Sequence, residues 1–194
     1  NTLKEYVSDL RLATQTLDEG YETFEKNKNA QLNANILQIE AEYYAIARAK
    51  ASQHKGSRMT SELINRGVEF IEIRSLDLNP FSRIGIDREV VLFFEIFMML
   101  CLIKESDDIH HSSMKDINLN DIKVAKFGRK TDTLLTNGDS KISIKDWGNQ
   151  ILGEMDKIIS ETNYCRKEYK QMIISMRSRI NNPEETLSSQ ILES

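Results

Sequence analysis

Glu72 and Arg74 are the residues whose types and spacing most readily do chemistry. They lie in VEFIEIRSL, residues 68–76, where β-branched and aromatic residues dominate and polarity alternates. In a strand, positions i and i+2 share one face, about 6.5–7 Å apart. A carboxylate beside a guanidinium suits a nucleotide-phosphate site, the acid holding Mg²⁺ and the arginine meeting phosphate oxygens as a bidentate donor. A solvated sheet face with cross-strand ion pairs is the competing reading, and the pattern by itself leaves both open. Gln38, Glu40 and Glu42 also alternate, and either face the same cavity or face water. Tyr43 and Tyr44 are adjacent, so they point to opposite sides, one toward the core and one free to line a pocket. His54, His110 and His111 read as surface residues, since adjacent histidines do not easily share one metal. There is no glycine-rich phosphate loop, cysteine cluster or nucleophile motif.

These candidates need elements to hold them. The sequence predicts an amphipathic helix over residues 2–18, a strand over 31–44 with Leu37 and Ile39 inward, and a mobile basic loop over 48–60. A short helix capped by Thr60 or Ser61 then runs to Asn65 and ends at Gly67. The second strand, 68–76, has Ile71 and Ile73 packed on one side and Phe70, Glu72 and Arg74 on the other. Asp87 suits the N-cap of an apolar, buried helix over 88–104, with Met98 and Met99 as packing residues. Beyond it come a polar turn, a short helix at 118–127, a turn at TNGDSK, amphipathic helices at 143–164 and 165–181, and a short helix opened by Pro183.

Composition narrows the classes. Of 194 residues, 40% are apolar and 29% charged, and the net charge of −4 gives no basic excess to neutralise phosphates. Nucleic acid is therefore not an expected partner. The one long apolar run, Val90 to Ile103, is too short to span a bilayer and is interrupted by Glu95, so no membrane partner is expected either. Cys101 and Cys165 are too few for a disulfide framework and read as reduced, structural thiols, which suits the cytoplasm. The chain opens on Asn1 in an already helical pattern, as if entered in mid-protein. Two strands among about six helices make an incomplete sheet.

The strings NANILQIEAEYY (33–44) and RGVEFIEIRSLDLNPFS (66–82), the latter continuing through Gly85–Asp87, resemble the proteobacterial glutamate–cysteine ligases. Weaker similarity continues through Gly128–Lys130 and Asn182–Pro183 to Leu192. The family carries prolines around 44–50, where this chain reads Tyr-Ala-Ile-Ala-Arg-Ala-Lys. The resemblance implies an α+β, glutamine-synthetase-like ligase fold, of which residues 1–194 are the helix-rich C-terminal portion of one catalytic domain, with a few antiparallel strands of an incomplete active-site sheet. It implies ATP-dependent joining of L-glutamate to L-cysteine, with Mg²⁺ or Mn²⁺, as the first step of glutathione synthesis. It makes Glu72 a metal ligand, Arg74 the catalytic residue that reaches the transferred phosphate of ATP, and Tyr44 part of the cysteine pocket. The remaining ligands belong to the missing N-terminal part of the same enzyme, so this chain on its own is expected to be inactive. Another carboxylate–amine ligase of the same fold and a non-catalytic helical interaction module are the alternatives.

Overall fold

The computed structural model describes residues 2–21, 31–162 and 167–194. Two compact units divide the chain, Asn1–Asp77 and Leu78–Ser194. The charged stretch GYETFEKNKNAQ (20–31), which reads as a loop with little core, falls mostly outside the described residues, as do Cys165 and the His111 side chain.

The first unit begins with α1 (Leu3–Ala13), opened by a reciprocal capping box: Thr2 Oγ1 accepts the Glu5 N–H at 3.2 Å and Glu5 Oε2 accepts the Thr2 N–H at 2.9 Å. Its buried stripe, Val7 and Leu10, packs with Ala51, Met59 and Leu63. Residues 31–44 are not the strand their alternation predicts. They double back past the end of α1 through Asp18 N–H to Ala34 O and Ile36 N–H to Thr16 O, both 2.9 Å, and end in a 3₁₀ turn at Glu40–Glu42. Short polar side chains account for this by offering the backbone local partners. Asn33 Oδ1 accepts the Asn35 N–H at 3.0 Å, and Glu42 accepts both the backbone and side-chain amides of Gln38 at 2.6 and 3.0 Å.

The first strand forms later, running into the start of the segment predicted as a mobile basic loop. β1 (Ala47–Lys50) pairs antiparallel with β2 (Phe70–Ile73), with Ala47 opposite Ile73, Arg48 opposite Glu72, Ala49 opposite Ile71 and Lys50 opposite Phe70. Residues 44–50 contain no proline, so every backbone N–H is available to a ladder. Neither face of β2 is fully packed: Ile71, predicted inward, is 48% exposed. Between the strands, α2 (Met59–Arg66) is terminated by Gly67 at φ 78°, a conformation glycine adopts without penalty.

The second unit is helical. α3 (Arg88–Ile103) and α4 (His111–Phe127) are followed by the hairpin β3 (Leu134–Asn137) and β4 (Ser140–Ser143). Then come α5 (Ile144–Glu161), α6 (Lys167–Asn181) and, after a 3₁₀ turn at Pro183–Glu185, α7 (Leu187–Glu193). Ile96 and Leu100 of α3 meet Leu152, Met155, Ile158 and Ile159 of α5 and Tyr169, Met172 and Ile173 of α6 in one apolar core. Only a stripe of α3 is buried. Leu102 is 86% exposed and Cys101 is a free, exposed thiol, correcting the predicted buried helix. The intruding Glu95 is satisfied by the Tyr169 hydroxyl at 2.9 Å. Asp87 stands at the N-cap position of α3, yet its carboxylate takes the Asn79 side-chain amide instead of a helix N–H. The predicted TNGDSK turn is a true hairpin loop, with Gly138 at φ 59°. α4 starts seven residues earlier than the predicted 118, and within it Asn120 bonds the edge of β3, donating to Thr136 O at 2.8 Å and accepting its N–H at 2.9 Å. Among the described residues no helix is long and apolar enough to cross a membrane.

Candidate active site

β2 sets the geometry. Glu72 is its third residue, and Arg74 lies just past its end, where its N–H still donates to the Ile46 carbonyl at 2.8 Å. The two side chains meet, Arg74 donating to Glu72 Oε1 across 3.2 Å. The Arg74 guanidinium carbon also lies 5.5 Å from the centre of the Tyr44 ring, within cation–π range. Tyr44 is otherwise 70% exposed. Its neighbour Tyr43 packs on the first unit's core, edge-on to Tyr6 with centroids 6.1 Å apart. The three residues singled out from the sequence, Glu72, Arg74 and Tyr44, are thus brought together.

β1 adds two residues that sequence reasoning left in a loop. Residues directly opposite in an antiparallel pair project to the same side. The Glu72 face therefore also carries Arg48 and Lys50. Lys50 Nζ is 3.8 Å from Glu72 Oε2. Arg48 is only 2% exposed; it donates to the Met59 sulfur at 3.3 Å, and its Nε has no hydrogen-bond partner. The signal that could have found them is the period-two Ala-Arg-Ala-Lys itself, small apolar alternating with basic.

Among the described residues, the result is one carboxylate among three cations. The Arg74 hydrogen bond holds the Glu72 carboxyl below its ordinary range against the opposing effect of burial, and the charges of Arg74, Lys50 and Arg48 act in the same direction. Glu72 is therefore ionised at neutral pH. Its Oε1 is engaged by Arg74, while Oε2 is shielded from solvent and has no hydrogen-bond partner. A shielded carboxylate oxygen with nothing to accept from is a hard donor suited to a small divalent cation. Among the described residues no group of three or more acidic, histidine or cysteine side chains gathers to hold a metal, so Glu72 is a single protein donor here.

Gln38, Glu40 and Glu42 do not join this cluster. Glu40 is buried and works as a remote cap for α2, whose N-cap residue Arg58 offers no side-chain bond. Its two oxygens accept the Thr60 N–H at 2.9 Å and the Thr60 hydroxyl at 2.7 Å, and Arg11 Nε donates to that hydroxyl at 3.1 Å. A cleft of about 470 Å³ opens beside Gln38, Glu40, Gln53 and Arg58, without Glu72, Arg74 or Tyr44 in its lining. Its carboxylate is already spent on Thr60, so the strand cluster is the better site for charge chemistry. His54 Nδ1 lies 3.3 Å from Glu62, and His110 is exposed in a polar segment, in keeping with surface roles.

The chain matches the glutamate–cysteine ligase family over residues 1–124 and belongs to that family. It is 38% identical, over its whole length, to a glutamate–cysteine ligase of Alcanivorax borkumensis, of which it covers 39%. A Clostridium acetobutylicum glutamate–cysteine ligase is 35% identical over 95% of the chain and 40% of its own length. The crystal structure of a Francisella tularensis glutamate–cysteine ligase in complex with AMP superimposes on 99% of the chain with a TM-score of 0.89, at 32% identity, and 39% of that protein is covered. The α+β ligase fold implied by the sequence is thus the fold observed. The chain spans about two-fifths of the length of the relatives it matches.

Proposed function

We propose that this chain is the C-terminal portion of the catalytic domain of an ATP-dependent ligase. The reaction joins the γ-carboxylate of L-glutamate to the amine of L-cysteine through a γ-glutamyl phosphate. It yields γ-glutamylcysteine for glutathione synthesis, in the cytoplasm. The observation that carries this reading is the strand face on which Arg48, Lys50 and Arg74 surround the carboxylate of Glu72. Such a face favours phosphate oxygens, and the AMP in the Francisella relative speaks for a nucleotide. Four apolar side chains, Leu32, Leu78, Ile84 and Leu102, are each at least 77% exposed, which suits a chain covered by further protein.

Both chemical steps shift negative charge among phosphate oxygens, so the protein's part is positioning and electrostatic stabilisation. Glu72 would hold Mg²⁺, or Mn²⁺, through its free Oε2. When bound, such an ion neutralises phosphate charge and polarises the phosphorus under attack. Arg74, already oriented by Glu72 and by the Tyr44 ring, meets the charge that develops as the phosphoryl group leaves ATP. Tyr44, with its outer surface open, borders the pocket for cysteine.

The test is glutamate- and cysteine-dependent phosphate release by the full-length enzyme. Glu72→Gln keeps size and hydrogen bonding but removes the charge, and should lower turnover by roughly 10²–10³. Arg74→Lys should also be costly, since a point charge does not replace a planar fork. Unliganded melting temperature should fall modestly in Glu72→Gln, which leaves Arg48, Lys50 and Arg74 without the carboxylate they share, and hardly move in Arg74→Lys. Turnover within a few-fold of wild type for both variants would sink the assignment.

A further inference from the structure

Arg48 and Lys50 entered the site only through the ladder, and their roles differ. On the shared face, among the described residues, Arg48, Lys50 and Arg74 set three positive charges against the one of Glu72. A surplus of two cations on one partly shielded strand face is unfavourable unless an anion of matching charge completes it. Arg48 is buried against Met59 and contributes mainly its field. Arg74 is committed to Glu72 Oε1 and the Tyr44 ring. Lys50 is different. Its side chain keeps 21% of its exposure, and its ammonium stands 3.8 Å from Glu72 Oε2, longer than a hydrogen bond. Among the described residues Lys50 Nζ donates no hydrogen bond, although it carries three N–H donors. Oε2, the atom it faces, is equally without a hydrogen-bond partner. The ammonium, ion-paired at 3.8 Å but not hydrogen-bonded, keeps its three donors for an anion lying beside Glu72, while Oε2, itself negative, is left to a cation.

We propose that Lys50 is a second cationic ligand of the phosphoryl group transferred from the nucleotide, gripping it on the Oε2 side of Glu72 while Arg74 holds the Oε1 side. The inference rests on the ligase reading of this site and adds a substrate-contacting residue to it. Two cations approaching from different directions suit a group whose charge is spread over three equatorial oxygens. Lys50 makes a point-charge contact, and Arg74 supplies the planar one.

The experiment measures nucleotide affinity by calorimetry on the full-length enzyme, with a non-hydrolysable ATP analogue and with ADP, which lacks the transferred phosphoryl group. Lys50→Met should weaken the analogue by about ten- to a hundredfold, the span expected for a lost charged hydrogen bond, and leave ADP within about twofold. Lys50→Arg should restore most of the loss. Unchanged analogue affinity in Lys50→Met overturns the proposal. So does a parallel loss for both nucleotides, which would make Lys50 a structural residue. Glu72→Gln and Arg74→Lys, assayed alongside for turnover, separate the two readings. If they stay active, the site itself is wrong; if they fail while Lys50→Met binds normally, only the role of Lys50 is wrong.

Discussion

The two units bury different things. In the first, the buried side chains include Glu40, Arg48, Thr60 and Glu62, interleaved with a small apolar cluster around Val7, Leu10 and Leu63. In the second, nine apolar residues from α3, α5 and α6 close a core with no charged member, and Ser189 is the only buried polar residue among those described. Charges held inside protein cost desolvation and persist where partners are fixed in advance. That arrangement suits a reaction whose transition state is built of moving charge. An apolar three-helix core makes no such provision and suits a scaffold. The division predicts that damage to the first unit shows up as lost turnover, and damage to the second as lost stability.

Ile159→Ala strikes the second unit hardest. Ile159 is fully buried, so the truncation should cost about 2–5 kcal/mol in chemical denaturation. Turnover should stay within a few-fold wherever the variant is folded. A hundredfold loss of turnover in folded protein would break the comparison. Tyr44→Ala reverses the pattern: melting should hardly change, while the KM for cysteine rises by about tenfold, equivalent to ~1.4 kcal/mol. Equal effects on the KM values for cysteine, glutamate and ATP would count against a cysteine-pocket role.

The smallest effect sharpens the comparison within the first unit. Hydrogen bonds from Ser52, then Arg66, pull the Glu69 carboxyl from 4.5 down to about 2. A carboxyl lowered by folding stabilises above its unfolded value and loses that contribution as pH falls. Denaturation midpoints should therefore drop between pH 4.5 and about 2, and Glu69→Gln should flatten that part of the profile. An unchanged slope in the variant would show that the Ser52 and Arg66 bonds carry no folding energy.

Much of the fold was legible. β2 follows from its β-branched alternation, and α5 and α6 from their periodic apolar faces, because in each the residues' own preferences agree with the final packing. The pairing of Glu72 with Arg74 follows from strand periodicity alone. Residues 31–44 misled because partial alternation was outweighed by asparagine and glutamate side chains bonding nearby backbone. The hairpin at Gly138 carried its signal in Asn-Gly, with strands too short to stand out.

By itself, then, the sequence determined the family, the strand that carries Glu72 and Arg74, and the helices with a strong apolar stripe, since each is encoded in local composition and spacing. Tertiary structure alone decided that Ala47–Lys50 is a strand, that Arg48 is buried and Lys50 faces Glu72, and that Glu40 caps α2. Alanine, arginine and lysine have little β preference of their own, so that segment takes its conformation from the partner offering ladder bonds. A carboxylate twenty residues upstream of Thr60 becomes its cap only when folding closes the intervening loop.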